Sequence, residues 1–128
     1  MIKKCIFCNK KKQKVIFSSE LFYVVRDSYP VTKYHTLIIP NRHVPNFFDL
    51  KDKEFNDLKK ILKKQRKLLK NLDKKISSFN VGVNAGADAG QSIMHCHIHL
   101  IPRRKGDIKN PQGGVRGVIP TKQKYTKK

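Results

Sequence analysis

The sequence predicts an α+β fold in which a largely antiparallel sheet of about five strands packs against one long helix. Two observations predict it. The chain has 128 residues, which is the usual size of one domain with one core. Short apolar segments come first, a single long segment with helical periodicity follows, and further short apolar segments come after it. We therefore expect one domain whose strands lie on both sides of the helix in the chain.

The first three strands are predicted in the N-terminal third of the chain. Apolar segments at Val15–Phe17 and Leu21–Val25 flank the polar turn residues Ser18–Glu20, which predicts a hairpin. A third strand is predicted at Thr36–Ile39, and it should end at Pro40 because proline has no N–H to donate to a neighbouring strand.

One amphipathic helix is predicted from Phe55 to near Ser77. Apolar residues recur there at spacings of three and four, which places them on one helix face. These residues are Phe55, Leu58, Ile61, Leu62, Leu68, Leu69, Leu72 and Ile76. Asp49 and Asp52 are the two candidate N-caps. We expect the lysine-rich outer face to be solvated.

The remaining strands are predicted after the helix. Val81 and Val83 begin a fourth strand, and the glycine- and alanine-rich stretch Ala85–Gly90 forms a loop. A fifth strand covers Ile93–Ile101 and ends at Pro102.

The sequence predicts a domain at residues 1–105 and a basic C-terminal tail at residues 106–128. Glycine, proline and lysine dominate this tail, and such segments are commonly solvated. The alternative is that the segment Gly113–Gly117 brings Arg116 close to a bound polyphosphate.

The chain is strongly basic, with 29 Lys and Arg against 9 Asp and Glu, a net charge of +20 and a pI near 10.2. Only six of the basic residues are arginines, and the lysine runs contain no interleaved aromatic residues for base stacking. We therefore expect no specific nucleic-acid recognition. The charge would nevertheless attract small polyanions such as nucleotides.

No membrane or secretory segment is expected. The longest apolar run, Leu21–Val25, is far shorter than the roughly 20 residues of a membrane span. Only Cys5–Cys8 separates the early lysines from the run Lys10–Lys12, so no hydrophobic signal-peptide core is present there. We expect a cytoplasmic protein.

Three of the five histidines, His95, His97 and His99, occupy alternate positions of one predicted strand. Side chains alternate between the two faces of a strand, so the three imidazoles should share one face at a spacing of about 6.8 Å. The opposite face is apolar and consists of Met94, Cys96, Ile98 and Leu100. This pattern predicts a site at which two imidazoles contact one ligand.

A neutral imidazole is available near pH 7 and can attack phosphorus. If His97 is the nucleophile and a neighbouring histidine donates to the phosphoryl oxygens, one difficult displacement becomes two easier ones. The preceding glycine-rich loop permits close backbone approach, and Asn84, Gln91 and Ser92 can bind phosphate oxygens or a leaving group.

These residues resemble the histidine triad (HIT) family, whose motif alternates histidine with apolar residues and is followed here by Pro102-Arg103. The segment from Lys33 to Pro40, followed by His43, is similar to a second conserved block, and Cys5–Cys8 is similar to the start of many bacterial-type members. The resemblance implies a HIT-like fold, a homodimer, and action at the α-phosphate of a nucleotide conjugate with a purine nucleotide or dinucleotide as substrate.

The resemblance also implies a role for individual residues. His97 would form a covalent nucleoside-monophosphate adduct, and His99 would contact the same phosphate. Asp27 would bind the ribose hydroxyls, and Gln91 would lie near the bridging oxygen. Phosphate or leaving-group contacts would come from Asn84, Gly90 and Ser92, with His35 in support. Tyr34 stands where family members often have glycine.

Cys5 and Cys8 have the spacing of a zinc knuckle but supply only two of four ligands. In a reducing compartment a structural zinc is favoured over a disulfide or a redox pair. The resemblance supplies His43 and His95 as the other two ligands, although His43 also fits a simple turn position. Cys96 is expected in the core.

The primary hypothesis is an enzyme, a nucleotide hydrolase or nucleotidyl transferase that works through His97. One alternative is a nucleotide-binding or interaction protein with little turnover, and another is a polyanion-binding protein that uses its lysines. Within the enzyme hypothesis, Pro102-Arg103 favours dinucleoside polyphosphates, whereas Asn84 and Ser92 favour nucleoside phosphoramidates.

Overall fold

A computed structural model describes residues 5–125, so the first four residues of the predicted domain and the last three of the predicted tail lie outside it. Five strands form one sheet of order β1-β2-β3-β5-β4, and all neighbouring strands are antiparallel. The elements are β1 Phe17–Ser18, β2 Phe22–Arg26, β3 Thr36–Pro40, α1 Asp52–Leu72, β4 Ile76–Val83 and β5 Ile98–Arg104. The α+β prediction is confirmed.

The predicted end of the helix and the starts of the last two strands are wrong. Helix α1 ends at Leu72 rather than near Ser77, because Asp73 accepts the Lys75 N–H at 2.9 Å and forms a turn that leads directly into β4 at Ile76. Strand β5 begins at Ile98, five residues after the predicted start.

Strands β2 and β3 are buried on both faces of the sheet, whereas the edge strand β4 is largely exposed. Helix α1 covers the first face, where Phe22, Val24, Ile38 and Ile98 join the main core. The second face carries Tyr23, Val25, Leu37 and Ile39, and the N-terminal segment covers it with Phe7. His99 pairs with Leu37 across β3 and β5, and directly paired residues share a face. His99 therefore lies on the second face of the sheet.

Neither candidate N-cap of the helix acts as one. Glu54, in the first turn of α1, is 2% exposed and accepts the backbone N–H of Lys51 at 2.8 Å. A side chain within the first turn therefore caps the helix N-terminus. The same carboxylate pairs with Arg42 at 2.8 Å. The buried Glu54 carboxylate therefore both caps the helix and forms an ion pair with Arg42.

Glu54→Gln is expected to destabilise the fold by about 1–3 kcal/mol at pH 7. Burial alone raises the pKa of Glu54, but hydrogen bonds from Arg42 and Lys51 outweigh burial and lower this pKa below 4.5. The contribution of Glu54 to the free energy of unfolding is therefore present above pH 4.5 and is lost as the pH falls through the pKa of Glu54 in the folded state. Urea unfolding at pH 7 and pH 3 tests this, with the exposed Glu20→Gln as control. Equal stabilities of Glu54→Gln and the parent at pH 7 would contradict it.

Tyr34 has a φ of 73°, in the left-handed region that disfavours side chains. This conformation explains why glycine suits the position. This chain has a tyrosine at the position, and its ring centroid lies 5.6 Å from the guanidinium carbon of Arg26 and 5.1 Å from the ammonium nitrogen of Lys33. Cation–π contacts of this kind offset part of the backbone strain.

Within residues 5–125, no helix combines the length and the apolar character that crossing a bilayer requires.

Candidate active site and metal site

The histidine segment bends at residues 93–95, and from His95 onward its side chains alternate between the two sides as it enters β5 at Ile98. His97 and His99 lie with ring centroids 5.2 Å apart, and His35 from the start of β3 lies 5.1 Å from His99. Cys96 is buried in the opposite, apolar core, as the alternation predicts. Met94 is an exception, since its side chain is 46% exposed. The predicted cluster of imidazoles is therefore present, and His35 extends it.

The hydrogen bond of His97 determines which ring nitrogen is free. His97 Nδ1 lies 2.9 Å from the backbone carbonyl oxygen of His95. A carbonyl oxygen only accepts, so Nδ1 carries the proton and the neutral ring has its lone pair at Nε2. Phe7 packs edge-on against this ring at 5.1 Å and restricts its orientation. In the neutral ring, His97 Nε2 therefore carries a lone pair of defined orientation.

A second chain of hydrogen bonds determines the protonation of His99. The Val31 N–H donates to His35 Nδ1 at 3.0 Å, so neutral His35 carries its proton on Nε2. His35 Nε2 lies 2.9 Å from His99 Nδ1 and donates to it. Neutral His99 therefore carries its own proton on Nε2, available to a phosphoryl oxygen. Asp27 Oδ2 lies 3.5 Å from the same His35 Nε2 atom, between His35 and His99 in this chain.

Burial, with smaller contributions from the positive charges that His97 and His35 would carry, lowers the pKa of His99 to about 4 against a weaker opposing effect of Asp27. The ring is therefore neutral near pH 7. A neutral ring is the form that the hydrogen-bond chain requires, because His99 Nδ1 accepts a hydrogen bond.

Stability is expected to fall as the pH is lowered from 6.5 towards 4, because unfolded His99 takes up a proton that the folded ring excludes. The pKa of His99 is lower in the folded state than in the unfolded state. Its contribution to the free energy of unfolding is therefore complete above pH 6.5 and is lost as the pH approaches 4. His99→Gln should lose less free energy of unfolding between about pH 7.5 and 4.5 than the parent, measured by urea unfolding. Met94→Gln, at an exposed nearby position, should behave as the parent does. Identical losses in His99→Gln and the parent would refute the prediction.

The glycine-rich loop is held by Gln91. Its Oε1 accepts the Gly86 N–H at 2.9 Å, and its Nε2 donates to the carbonyl oxygens of Pro45 and Ile93 at 2.7 and 3.1 Å. Gly86 and Gly90 have φ values of 104° and 102°, which favour glycine. The structure thus places Gln91 in the loop scaffold, with both polar atoms of its amide engaged.

The other predicted substrate-contact residues lie at the end of β2, directly after β4 and in the glycine-rich loop. Asn84 directly follows β4 and, with His99, lines a cleft. Ser92 is exposed beyond the loop, and Gly90 lies at the loop's left-handed turn. Asp27 Oδ1 accepts the Tyr29 N–H at 2.8 Å, which fixes the carboxylate at the end of β2.

The sequence prediction missed Phe7 and Val31. Phe7 lies between Cys5 and Cys8 in the chain. Because the two cysteines meet His95, Phe7 is brought against the neighbouring His97. Its position between the cysteines could therefore have predicted this contact from the sequence. Val31 acts only through its backbone N–H, and no side-chain pattern indicates such a role.

The four predicted metal ligands converge at one place. Cys8 Sγ lies 3.1 Å from His43 Nδ1, Cys5 Sγ lies 3.3 Å from His95 Nδ1, and the two Nδ1 atoms are 3.2 Å apart. In a tetrahedral zinc site the corresponding separations are about 3.6 Å from sulfur to nitrogen and about 3.4 Å between nitrogens. The donor atoms therefore already have nearly the spacing that zinc requires.

The protonation of this cluster also fits a metal. His95 Nε2 lies 2.8 Å from the Pro40 carbonyl oxygen and must donate, which leaves the Nδ1 lone pair directed at the cysteines. Burial, together with neighbouring Cys5, raises the pKa of the Cys8 thiol to about 11. A divalent cation stabilises the thiolate and removes this penalty. Two soft sulfur and two imidazole donors form the Cys2His2 set of structural zinc sites.

A family model of the HIT domain matches residues 9–106. The chain belongs to the HIT domain family. Its five-stranded antiparallel sheet and single long helix are the HIT fold, and the two histidine clusters belong to this domain.

Two curated HIT relatives are named as enzymes of dinucleoside polyphosphates. The asymmetrical bis(5'-nucleosyl)-tetraphosphatase of Schizosaccharomyces pombe is 34% identical over 74% of this chain and 52% of its own length. The AP-4-A phosphorylase of Mycobacterium tuberculosis is 36% identical over 73% of this chain and 48% of its own length. The chain thus spans about half the length of these two enzymes.

A solved HIT structure supports the fold and describes a metal. The zinc-bound histidine triad family protein of Mycobacterium smegmatis superposes with a TM-score of 0.76 and 26% identity, covering 84% of this chain and 80% of that protein.

Proposed function

We propose that this protein is a nucleotide hydrolase or nucleotidyl transferase that cleaves at the α-phosphate of a nucleotide conjugate through a covalent nucleotidyl-His97 intermediate. The observation that carries the proposal is the hydrogen bond from His97 Nδ1 to the His95 carbonyl oxygen, which leaves Nε2 unprotonated. The relatives named as a tetraphosphatase and a phosphorylase support the class of substrate.

In the first step His97 Nε2 attacks the α-phosphorus, and the bond from phosphorus to the leaving group breaks. The leaving group takes up a proton from solvent as it departs. In the second step an oxygen of water or inorganic phosphate attacks the same phosphorus and releases His97. The two displacements proceed in line, so attacking and leaving atoms lie on opposite sides of the phosphorus.

The neighbouring residues stabilise charge and orient the nucleotide. His99 donates from Nε2 to a non-bridging oxygen, and Asn84, Gly90 and Ser92 provide further contacts to the phosphate or the leaving group. Asp27 binds the ribose hydroxyls while its second oxygen stays beside His35.

Cys5, Cys8, His43 and His95 would hold a structural zinc ion. A zinc ion with four protein ligands cross-links the chain and takes no part in the chemistry. His97 and His99 are not in this ligand set. His95 then acts twice, since its ring is a ligand and its carbonyl orients His97.

We also propose a homodimer that forms through β4 and α1. β4 is an edge strand, Leu68, Leu72 and Val81 are 48–56% exposed, and a groove of about 390 Å³ lies between these elements. Exposed apolar residues beside an unpaired strand edge are typical of an interface. Sedimentation equilibrium distinguishes a mass of 14.9 kDa from twice that value.

A product assay tests the proposed activity. Purified protein is given diadenosine tetraphosphate or adenosine phosphoramidate, with and without inorganic phosphate, and products are resolved by anion exchange. From the tetraphosphate, AMP with ATP means hydrolysis and ADP with ATP means phosphorolysis; turnover of the phosphoramidate alone assigns the phosphoramidase branch. Tight AMP binding without turnover of either substrate would overturn the proposal in favour of a nucleotide-binding protein.

A further inference from the structure

The outer face of α1 carries a large excess of positive charge. From Leu58 to Leu72 the helix contains no acidic residue. Its basic residues in that stretch are Lys59, Lys60, Lys63, Lys64, Arg66, Lys67 and Lys70. Lys53, Lys60 and Lys67 recur at every seventh residue, close to two helical turns, so they follow one line along the helix. All three are exposed, and we call them the lysine row.

The lysine row lies on the side of α1 away from the sheet. The helix turns its buried residues, such as Leu58 and Ile61, towards the core that it shares with the first face of the sheet. His99 lies on the second face. None of the three lysines lines the groove at the proposed dimer interface. The lysine row is therefore separated by the sheet from the imidazole cluster, and the two sites can be occupied independently.

No carboxylate neutralises the lysine row within residues 5–125. The ion pairs of this part of the chain all use arginine or histidine, and none uses a lysine. Asp57 follows Lys53 by four residues and precedes Lys60 by three, which are the spacings at which helical side chains can pair. Its carboxylate instead accepts the Ser19 hydroxyl at 2.8 Å. The ammonium groups of the row are thus available to an external anion.

Repulsion among the lysines makes this helix face unfavourable in the free protein. Like charges three or four residues apart on a helix destabilise it. Both Lys60 and Lys67 have Lys63 and Lys64 at these two spacings. A polyanion would relieve the repulsion by neutralising several ammonium groups at once. The charge pattern therefore indicates a partner that carries a dense line of negative charge.

The geometry favours the phosphate backbone of a duplex over an anionic membrane. The lysine row spans about 21 Å at 1.5 Å per residue, and a duplex of that length carries about 12 phosphates. A helix that binds a membrane inserts its apolar face, whereas the apolar face of α1 is buried against the sheet. Residues 59–70 contain no aromatic side chain that could stack on a base, so contact would be to phosphates alone.

We propose that the lysine row of α1 binds the phosphate backbone of double-stranded nucleic acid without sequence preference. This inference does not depend on the proposed catalytic function. The net charge of +20 adds long-range attraction to the same partner. A domain bound in this way keeps its imidazole cluster open to nucleotides on the other side of the sheet.

Fluorescence anisotropy with a labelled duplex of mixed sequence, made as DNA and as RNA, tests the proposal over a range of salt concentrations. The triple variant Lys53→Gln/Lys60→Gln/Lys67→Gln removes three charges and keeps helix propensity, since lysine and glutamine are similar helix formers. Each phosphate contact adds about 0.9 to the slope of log affinity against log salt concentration for duplex DNA. We expect the slope to fall by about 2–3 and the affinity at about 50 mM salt to fall at least tenfold.

A matched control removes the same charge elsewhere. Lys109→Gln/Lys122→Gln/Lys124→Gln changes three exposed lysines outside α1. Its salt slope should stay within about one of the parental value. The lysine-row variant should melt at or above the parental temperature, because less repulsion remains on the helix, so its lost affinity would not be due to unfolding.

The possible results distinguish this proposal from its alternatives. Equal losses of affinity in the lysine-row variant and the control would overturn it, because net charge alone would then explain binding. Tighter binding to vesicles of anionic lipid than to either duplex would overturn it in favour of a membrane surface. Failure of the proposed catalytic function would look different: the parent would not turn over adenosine phosphoramidate, yet its duplex binding would still depend on the lysine row.

Discussion

His97→Ala is expected to lower turnover of adenosine phosphoramidate by at least about 10³-fold while AMP affinity stays within about threefold. The variant removes the Nε2 lone pair that is proposed to form the bond to phosphorus. The proposed phosphate contacts from His99 and Asn84 and the proposed ribose contact from Asp27 remain in place. Steady-state kinetics measure the first quantity, and isothermal titration with AMP measures the second.

Met94→Ala is the control, since Met94 lies three residues away and is 46% exposed. It should retain parental turnover. Quenching in alkaline denaturant, which preserves a phosphorus–nitrogen bond to histidine, should trap the mass of a nucleoside monophosphate on the parent and add nothing to His97→Ala. Turnover of His97→Ala within tenfold of the parent would rule out His97 as the nucleophile.

Loss of the metal site is expected to lower the melting temperature by about 10 °C or more, equivalent to roughly 3 kcal/mol for a domain of this size. Cys8→Ser removes one of four ligands from a site that joins the N-terminal segment to His43 and to His95. Without the metal, two imidazoles and two thiols remain close together with little to hold them. Thermal unfolding with and without a strong chelator measures the effect, and elemental analysis measures zinc.

Cys96→Ala provides the matched control because it removes the third cysteine, which is buried in the core and outside the cluster. It should lower stability through lost packing, yet it should bind zinc at the parental ratio and remain sensitive to the chelator. Cys8→Ser should bind less zinc and be insensitive to the chelator. A parent that contains no zinc and melts identically with chelator would refute the site.

The sequence predicted those parts of the fold that depend on periodic burial. Spacings of three and four located α1 because Leu58, Ile61 and Leu69 must all face the sheet. Alternation at His97 and His99 predicted their common face even though β5 starts only at Ile98. An extended backbone alternates side chains whether or not a neighbouring strand pairs with it, so the pattern predicted side-chain direction correctly and the strand boundary wrongly.

Features that depend on single long-range contacts were not predictable in this way. Glu54 caps α1 because Arg42, from a different part of the chain, makes its burial tolerable. The tautomers of His97 and His99 depend on two backbone groups, the His95 carbonyl and the Val31 N–H. Residues 107–123 have the composition of a solvated tail, yet they close on themselves, and this closure depends on the close approach of Gly113 to Gln123.

The separation of the metal ligands along the chain has a consequence during protein synthesis. Cys8 and His43 are 35 residues apart, but His95 follows His43 by a further 52 residues. At ribosomal rates this interval lasts roughly 3–10 s, during which a nascent chain offers only three of the four ligands. The fourth ligand arrives two residues before the proposed nucleophile. Completion of the proposed metal site and of the proposed catalytic segment is therefore nearly simultaneous in synthesis, and a chain interrupted before residue 95 lacks both.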